Sequence, residues 1–225
     1  VFSFDLRGHG RSDGKRGHVS SFRDFVDDLE SFRRLVQREV SEACPLFLFG
    51  HSMGGLIALR HLQQHPRAAW SGVILSAPAL GIRMHVPGWK KTASRILARL
   101  VPSMSLHNGI DVADLSRDPA VVAAYSDDPF VHQRISARLF REMQDEALTA
   151  AERMKSLDAP ASLWLVPGDD RICDSERSQA AVSCLPASAD VVTRRYEGAF
   201  HEALNDSCRE EVVGDIRNWL IERIG

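Results

Sequence analysis

The segment Gly50-His51-Ser52-Met53-Gly54 constrains this chain most, because it joins an apolar run that reads as a strand, Leu46 to Phe49, to one that reads as a helix, Leu56 to Gln64. Glycines at such a junction let the backbone bend sharply and let neighbouring chain approach, which leaves the serine Oγ exposed at the carboxyl edge of a sheet. A serine hydroxyl is a poor nucleophile until a base takes its proton. The turn therefore supplies only the steric half of a nucleophile. The helix that starts there adds unpaired backbone N–H groups for a developing anion, and Met53, directly after Ser52, is the candidate donor.

Two later segments carry the groups that Ser52 lacks. In Ala161-Ser-Leu-Trp-Leu-Val-Pro-Gly-Asp169-Asp170-Arg171 a short apolar run reaches a turn with two adjacent carboxylates. In Tyr196-Glu-Gly-Ala-Phe-His201-Glu202 a histidine follows the strand-like stretch Asp190 to Tyr196. The chain order Ser52, Asp170, His201 is that of the α/β-hydrolase nucleophile, acid and base. His201 is then the base that takes the Ser52 proton, and Asp170 fixes its tautomer and steadies the imidazolium. Asp169 and Asp174 compete with Asp170. His51 is expected to pack beside the turn, since the base must approach from another loop. His9, in Gly8-His9-Gly10, is expected to support a tight turn.

The rest of the chain alternates strand and helix with one long interruption. Phe22, Phe25, Val26, Leu29, Phe32 and Val36 recur at helical spacing, predicting an amphipathic helix over roughly 20–39. Gly72 to Ser76 and Ser162 to Val166 read as buried strands, and Ser175 to Leu185 as a helix. A last helix begins at Arg209, with Val213, Ile216, Leu220 and Ile224 on one face. From Leu80 to Asp158 no strand pattern is visible. The expected organisation is a hydrolase core over 1–79, a helical cap over 80–158 and the remaining core over 159–225.

A formal net charge of −2 gives no electrostatic case for nucleic acid. No stretch approaches the ~20 apolar residues that span a bilayer. Cys44, Cys173, Cys184 and Cys208 lack C-x-x-C spacing and are expected to be reduced, mostly buried thiols. The other histidines lack metal-ligand spacing, so neither a metal nor an organic cofactor is expected.

Gly50-His-Ser-Met-Gly-Gly55, Asp5-Leu-Arg-Gly-His-Gly-Arg-Ser12, the Asp170-Arg171 pair and Gly198-Ala-Phe-His201 together resemble the monoacylglycerol lipase and lysophospholipase branch of the α/β-hydrolase (serine hydrolase) superfamily. The likeness extends through Asn108-Gly-Ile-Asp111, Leu115-Ser-Arg-Asp-Pro119, Tyr125 and Asp128-Pro-Phe-Val-His132. It implies a mostly parallel sheet with helices on both faces and a helical cap. It also implies an acyl-enzyme route for fatty-acid esters, with monoacylglycerol as first choice and a lysophospholipid or shorter ester as alternatives. Asp170 is the acid by this likeness, and Cys173 resembles a position bordering the site in animal monoacylglycerol lipases. Val1 to Leu6 resembles the fourth strand of that fold. The expectation is therefore a fragment, lacking on the order of two βα units and the loop that carries a second oxyanion donor, with Val1–Leu6 and Leu46–Phe49 each short of a ladder partner. A catalytically silent binding module is the alternative of another class. The apolar cap residues Val86, Trp89, Ile96, Leu97, Leu100, Val101 and Met104 are expected mostly to pack inward, while Lys90, Lys91, Arg95 and Arg99 among them leave weak membrane-surface contact as a further option. A cytoplasmic location is the default expectation, any targeting signal lying ahead of Val1.

Overall fold

The structure, a computed structural model, describes residues 1–83 and 97–224. Its main sheet holds four parallel strands in the order β1 (Phe47–His51), β2 (Gly72–Ser76), β5 (Ser162–Pro167) and β6 (Val191–Tyr196). Parallel neighbours need crossovers. Helix α2 (Met53–Gln64) links β1 to β2, and α5 (Ser175–Ser183) links β5 to β6. Helix α1 (Arg23–Glu39) precedes the sheet and α6 (Arg209–Ile224) follows it.

Strands β2 and β5 are buried from end to end, and their alternate residues feed two separate cores. Val73, Leu75, Trp164 and Val166 join Phe25, Val26 and Leu29 of α1 and Leu56 and Leu59 of α2. On the opposite face Ile74, Leu163 and Leu165 meet Val212 and Trp219 of α6. Strand β1 is an edge of the sheet, and Phe49 there is exposed.

Helix α1 buries Phe25, Val26, Leu29 and Val36, as their spacing predicts, with Phe22 just ahead of it. Phe32 is half-buried, its ring 4.5 Å from that of Phe4. Glu30 and Arg33 are buried on the same helix. Arg33 donates to Glu30 twice at 2.9 Å, Arg34 Nε donates to it at 2.7 Å, and His61 Nε2 of α2 lies at 2.9 Å. The Arg33 bonds lead in holding the Glu30 carboxyl well below its ordinary range against the cost of burial. Glu30 thus ties α1 to α2 through His61.

Between β2 and β5 lie β3 (Ser105–His107), α3 (Pro119–Asp127), β4 (Arg134–Ser136) and α4 (Ala137–Glu152). Both helices start on side-chain caps. Asp118 accepts from Ala120 N at 2.9 Å with Pro119 in the first helical position, and Ser136 accepts from Leu139 N at 3.1 Å. Helix α4 packs on α2 through the Arg60–Glu146 ion pair and a 2.9 Å bond from Gln63 Nε2 to the Ala150 carbonyl.

Five expectations need correction. The pairing of β3 with β4, antiparallel, puts strand structure inside the stretch from Leu80 to Asp158. Three residues each are too few to show alternation. Val1–Leu6 forms no strand, because no neighbour among the described residues completes a ladder with it; Asp5 turns to the loop that follows, its Oδ2 accepting from Arg11 N at 2.8 Å and its carbonyl from Ser12 Oγ at 2.6 Å. Helix α6 buries Val212 and Trp219, leaving Val213 and Ile224 exposed. Trp219 sets that rotation, with its ring edge-on to Phe47 at 5.8 Å and against Gly72, where a Cβ would meet it at 2.6 Å. Among the cysteines only Cys173 is buried, while Cys44 and Cys184 are exposed. They sit in a loop and at the end of α5, where no packing face claims them. The expected apolar and basic run through Val86, Trp89, Lys90, Lys91, Arg95 and Ile96 lies outside the described residues. Beyond it, Leu100, Val101 and Met104 are exposed rather than packed inward.

Candidate active site

Strand β1 runs two residues past the apolar stretch, so that His51 ends it and Ser52 stands between strand and helix. Ser52 adopts φ 53° and ψ −119°. That left-handed backbone costs a non-glycine residue ~1–3 kcal/mol and persists only where its surroundings over-determine it. Here Ser52 N donates to the Ser76 carbonyl at 3.0 Å, and the Ser52 carbonyl accepts from Leu56 N at 3.2 Å and Ala79 N at 3.0 Å. Close approach explains two glycines. A Cβ on Gly50 would stand 2.6 Å from the Gly54 carbonyl oxygen, and one on Gly55 2.8 Å from Pro78. Gly54, despite its place in the motif, faces open space. Met53 opens α2, where first-turn N–H groups have no partner within the helix.

Asp170 follows β5 and is buried. Its Oδ1 accepts from the backbone N–H of Ile172 and of Cys173, each at 2.8 Å, and its Oδ2 lies 2.8 Å from His201 Nδ1. Three partners leave that carboxylate no freedom to turn. Asp169 instead points to Arg171 and is about half exposed, and Asp174 caps α5 by accepting from Glu176 N at 3.1 Å and Arg177 N at 3.4 Å. Only Asp170, of the three candidates, reaches the histidine.

His201 is buried in the loop after β6. Residues far away in sequence hold that loop. Asp206, itself buried, accepts from Phe200 N at 2.9 Å and from Arg117 Nε at 2.7 Å. Ser116 Oγ donates to the Asn205 carbonyl at 2.7 Å, and Glu202 N donates to the Leu115 carbonyl at 2.8 Å. The segment Leu115–Arg117 between β2 and β5 thus clamps the loop that carries the imidazole.

Cys173 completes the cluster. Burial and the Asp170 charge push its thiol far up, and the neighbouring Ser52 hydroxyl acts the other way. Potential ligand atoms of Asp170, Cys173 and His201 lie within 4.8 Å of one another. The set suits a metal poorly, because the carboxylate is committed to three donors and the thiol is held protonated. No hydrogen bond joins Ser52 to His201 among the described residues; the Ser52 side chain lies instead beside Cys173. Catalytic hydrogen bonds are often long or misaligned without substrate.

Beside His201 stands the ring of His51, with centroids 4.8 Å apart. Its Nδ1 lies 3.2 Å from Ser76 Oγ, and its Nε2 is 3.4 Å from Glu202 Oε1. Sequence reasoning placed His51 beside the turn, where it is, without a part in the chemistry, and gave Glu202 no role. The only signal for Glu202 was its place next to the histidine. His9 does support a turn, its N–H donating to the Leu6 carbonyl at 2.9 Å and its Nδ1 lying 3.1 Å from the Arg7 carbonyl.

With this geometry in hand, comparison with known proteins gives concordant matches. Residues 1–208 match the Hydrolase_4 family model, described as serine aminopeptidase, S33. The chain is 34% identical over 228 residues to a monoacylglycerol lipase of Mycolicibacterium smegmatis, covering 100% of this chain and 79% of that protein. It is 32% identical over 224 residues to an uncharacterized abhydrolase domain-containing protein of Dictyostelium discoideum, of which it spans 23%. The crystal structure of a monoacylglycerol lipase from Paleococcus ferrophilus superposes with a TM-score of 0.88 at 34% identity, covering 98% of this chain and 82% of that one. The fold is the α/β-hydrolase fold.

Proposed function

We propose that this chain, which belongs to the Hydrolase_4 (serine aminopeptidase, S33) family, hydrolyses carboxylic esters of fatty acids through an acyl-enzyme, with a monoacylglycerol as the preferred substrate. The observation that carries this reading is the buried 2.8 Å contact of His201 Nδ1 with Asp170 Oδ2, beside a strained strand-to-helix serine. Ser52 Oγ attacks the ester carbonyl while His201 Nε2 takes its proton. Asp170 keeps the other proton on Nδ1, which leaves Nε2 free to accept, and its charge steadies the imidazolium. The backbone N–H of Met53 faces the developing oxyanion. The imidazolium returns its proton to the departing alcohol. Water, deprotonated by the same histidine, then releases the fatty acid.

Stretch 80–158 acts in this reading as a cap over the acyl chain, linked to the base through Leu115–Arg117. The exposed Leu100, Val101, Met104 and Leu106 support brief contact of that cap with a lipid surface. No described helix is long and apolar enough to cross a membrane.

The test is a substrate panel of monoacylglycerols, lysophospholipids and short-chain esters, run with protein expressed from the complete gene and with Ser52→Ala. The reading expects monoacylglycerol to give the highest kcat/KM and Ser52→Ala to abolish both turnover and fluorophosphonate labelling. Undiminished turnover in Ser52→Ala would refute the mechanism, and a lysophospholipid preference would refute the substrate. Fewer liposome-bound molecules after Leu100→Ser and Met104→Ser would support the surface contact; unchanged binding removes it.

A further inference from the structure

Beside the pair Asp170–His201 stands a second imidazole and a second carboxylate that the proposed reaction leaves unused. His51 ends β1 one residue before the nucleophile, and Glu202 follows His201 directly. The two come together from opposite sides of the site. His51 Nε2 lies 3.4 Å from Glu202 Oε1, a long contact not aligned as a hydrogen bond, and that nitrogen has no other partner among the described residues. The other ring nitrogen lies 3.2 Å from Ser76 Oγ, on the buried last residue of β2 and directly across the ladder from His51. Glu202 is held at its far oxygen by Asn205 Nδ2 at 3.1 Å, and its backbone N–H is bound by the Leu115 carbonyl at 2.8 Å. Each side chain thus has a polar contact besides the other.

We propose that His51 and Glu202 form a positioning couple for the general base: the His51 ring braces the His201 imidazole from the nucleophile's own turn, and the Glu202 carboxylate supplies a second negative charge to the imidazolium formed when Ser52 attacks. The inference rests on the triad reading above. Its physical core is geometric: the His51 ring packs on that of His201, Glu202 reaches His51 from the residue next to His201, and a nearby carboxylate favours an imidazolium. The reverse influence is visible on Glu202. Burial works against its charge, yet the His51 contact and the fields of His51 and His201 hold its carboxyl down at about 2. Glu202 is thus ionised wherever the enzyme could work. The couple also gives the turn and the base loop a shared anchor, so that Ser52 and His201 move together.

Among the described residues, the groups facing His201 are few. Asp170 and Cys173 come from the loop after β5, His51 from the end of β1 and Glu202 from its own loop. Tyr125 of α3 adds a neutral hydroxyl near Glu202, raised by burial and by that carboxylate. Arg117 is occupied by Asp206, and Arg171 by Asp114 and Asp169. Among these charged groups, Glu202 is the one whose removal changes the field at His201 without touching the Asp170 contact.

The test is the pH dependence of kcat/KM for Glu202→Gln, Glu202→Asp and His51→Asn, with wild-type protein expressed from the complete gene as reference. The acid limb reports protonation of the base, and its position does not depend on how much of a preparation is folded. Removing the Glu202 charge makes the imidazolium less favourable, so the limb in Glu202→Gln moves to lower pH, by about half a unit to one unit for a partly exposed charge. Its plateau kcat falls about 3- to 10-fold with KM little changed. Glu202→Asp keeps the charge and returns the limb toward its wild-type position. His51→Asn keeps a polar contact to Ser76 but lowers kcat, because the brace is gone. A limb that stays in place in Glu202→Gln overturns the proposal even if activity falls, since loss of packing alone lowers the plateau without moving the limb. Wild-type protein that neither turns over nor labels at Ser52 brings down the triad reading itself, and this inference with it.

Discussion

Replacing Asp170 by asparagine separates orientation from mere presence of the acid, and the outcome can be worked out bond by bond. Two backbone N–H groups, of Ile172 and Cys173, point at Oδ1 from 2.8 Å. An asparagine must put its carbonyl oxygen there. Turning the amide over would orphan two buried donors at ~1–3 kcal/mol each, more than the single bond it would save. The amide nitrogen then occupies the Oδ2 site, 2.8 Å from His201 Nδ1, and can only donate to it. His201 must answer with an unprotonated Nδ1, which moves its proton to Nε2. An Nε2 that carries a proton cannot take one from Ser52. The same tautomer trap in a serine protease costs ~10⁴-fold in turnover, or about 5 kcal/mol of transition-state stabilisation at 1.36 kcal/mol per decade. Steady-state kcat on a monoacylglycerol measures it, and a thermal melt shows that the fold survives. The reasoning fails if Asp170→Asn retains more than about a tenth of wild-type kcat.

Elsewhere the structure makes three further claims that can be checked. Glu30→Ala strands Arg33 in the interface of α1 and α2 and is expected to cost ~3–5 kcal/mol in urea unfolding. The Glu30 carboxyl is depressed in the folded state, so its contribution is complete above its ordinary value of 4.5 and disappears as pH falls below it; Glu30→Ala must therefore lose less stability between pH 5 and 3 than wild type. Gly50→Ala pushes a methyl to 2.6 Å from the Gly54 carbonyl oxygen and is expected to cost ~1–3 kcal/mol, while Gly54→Ala, with open space around it, should melt within about 0.5 kcal/mol of wild type. Arg117→Ala removes one strut of the His201 loop and should lower kcat about 10-fold; it also leaves the buried Asp206 carboxylate without its cation, so the melting temperature falls as well, and equal kcat in the folded protein would mean that the loop holds its shape without Leu115–Arg117.

The turn at Ser52 was legible because a strand, two glycines and a helix must follow one another for the backbone to make it. The main sheet and α1 were legible for a related reason, since buried runs and helical spacing repeat over many residues. Which aspartate meets His201 was legible only to within one residue. Asp169 and Asp170 are chemically identical, and what separates them is the direction in which the backbone presents each side chain. Glu30 and Arg33 escaped notice because charges three apart on a helix usually belong to its wet face, and here a buried histidine from α2 turns them inward. His51 and Glu202 lie in motifs whose other members draw attention, and nothing local says that a strand end and a distant loop will meet. Val1–Leu6 shows the limit of resemblance as a signal for a strand. Val1-Phe-Ser-Phe-Asp-Leu6 alternates well, but a strand exists only where a neighbour completes its ladder, and here Asp5 bonds to the next turn instead.

The central claim is that the Ser52 oxygen becomes acylated during turnover. Rapid quenching of protein from the complete gene with a long-chain p-nitrophenyl ester, followed by peptide mapping, tests it directly. A burst of p-nitrophenol equal to the enzyme present, with the fatty acyl group on the peptide containing Ser52, is the predicted result. Turnover with the acyl group on another residue, or with no acylated peptide at any time point under conditions that trap ester adducts, would contradict it.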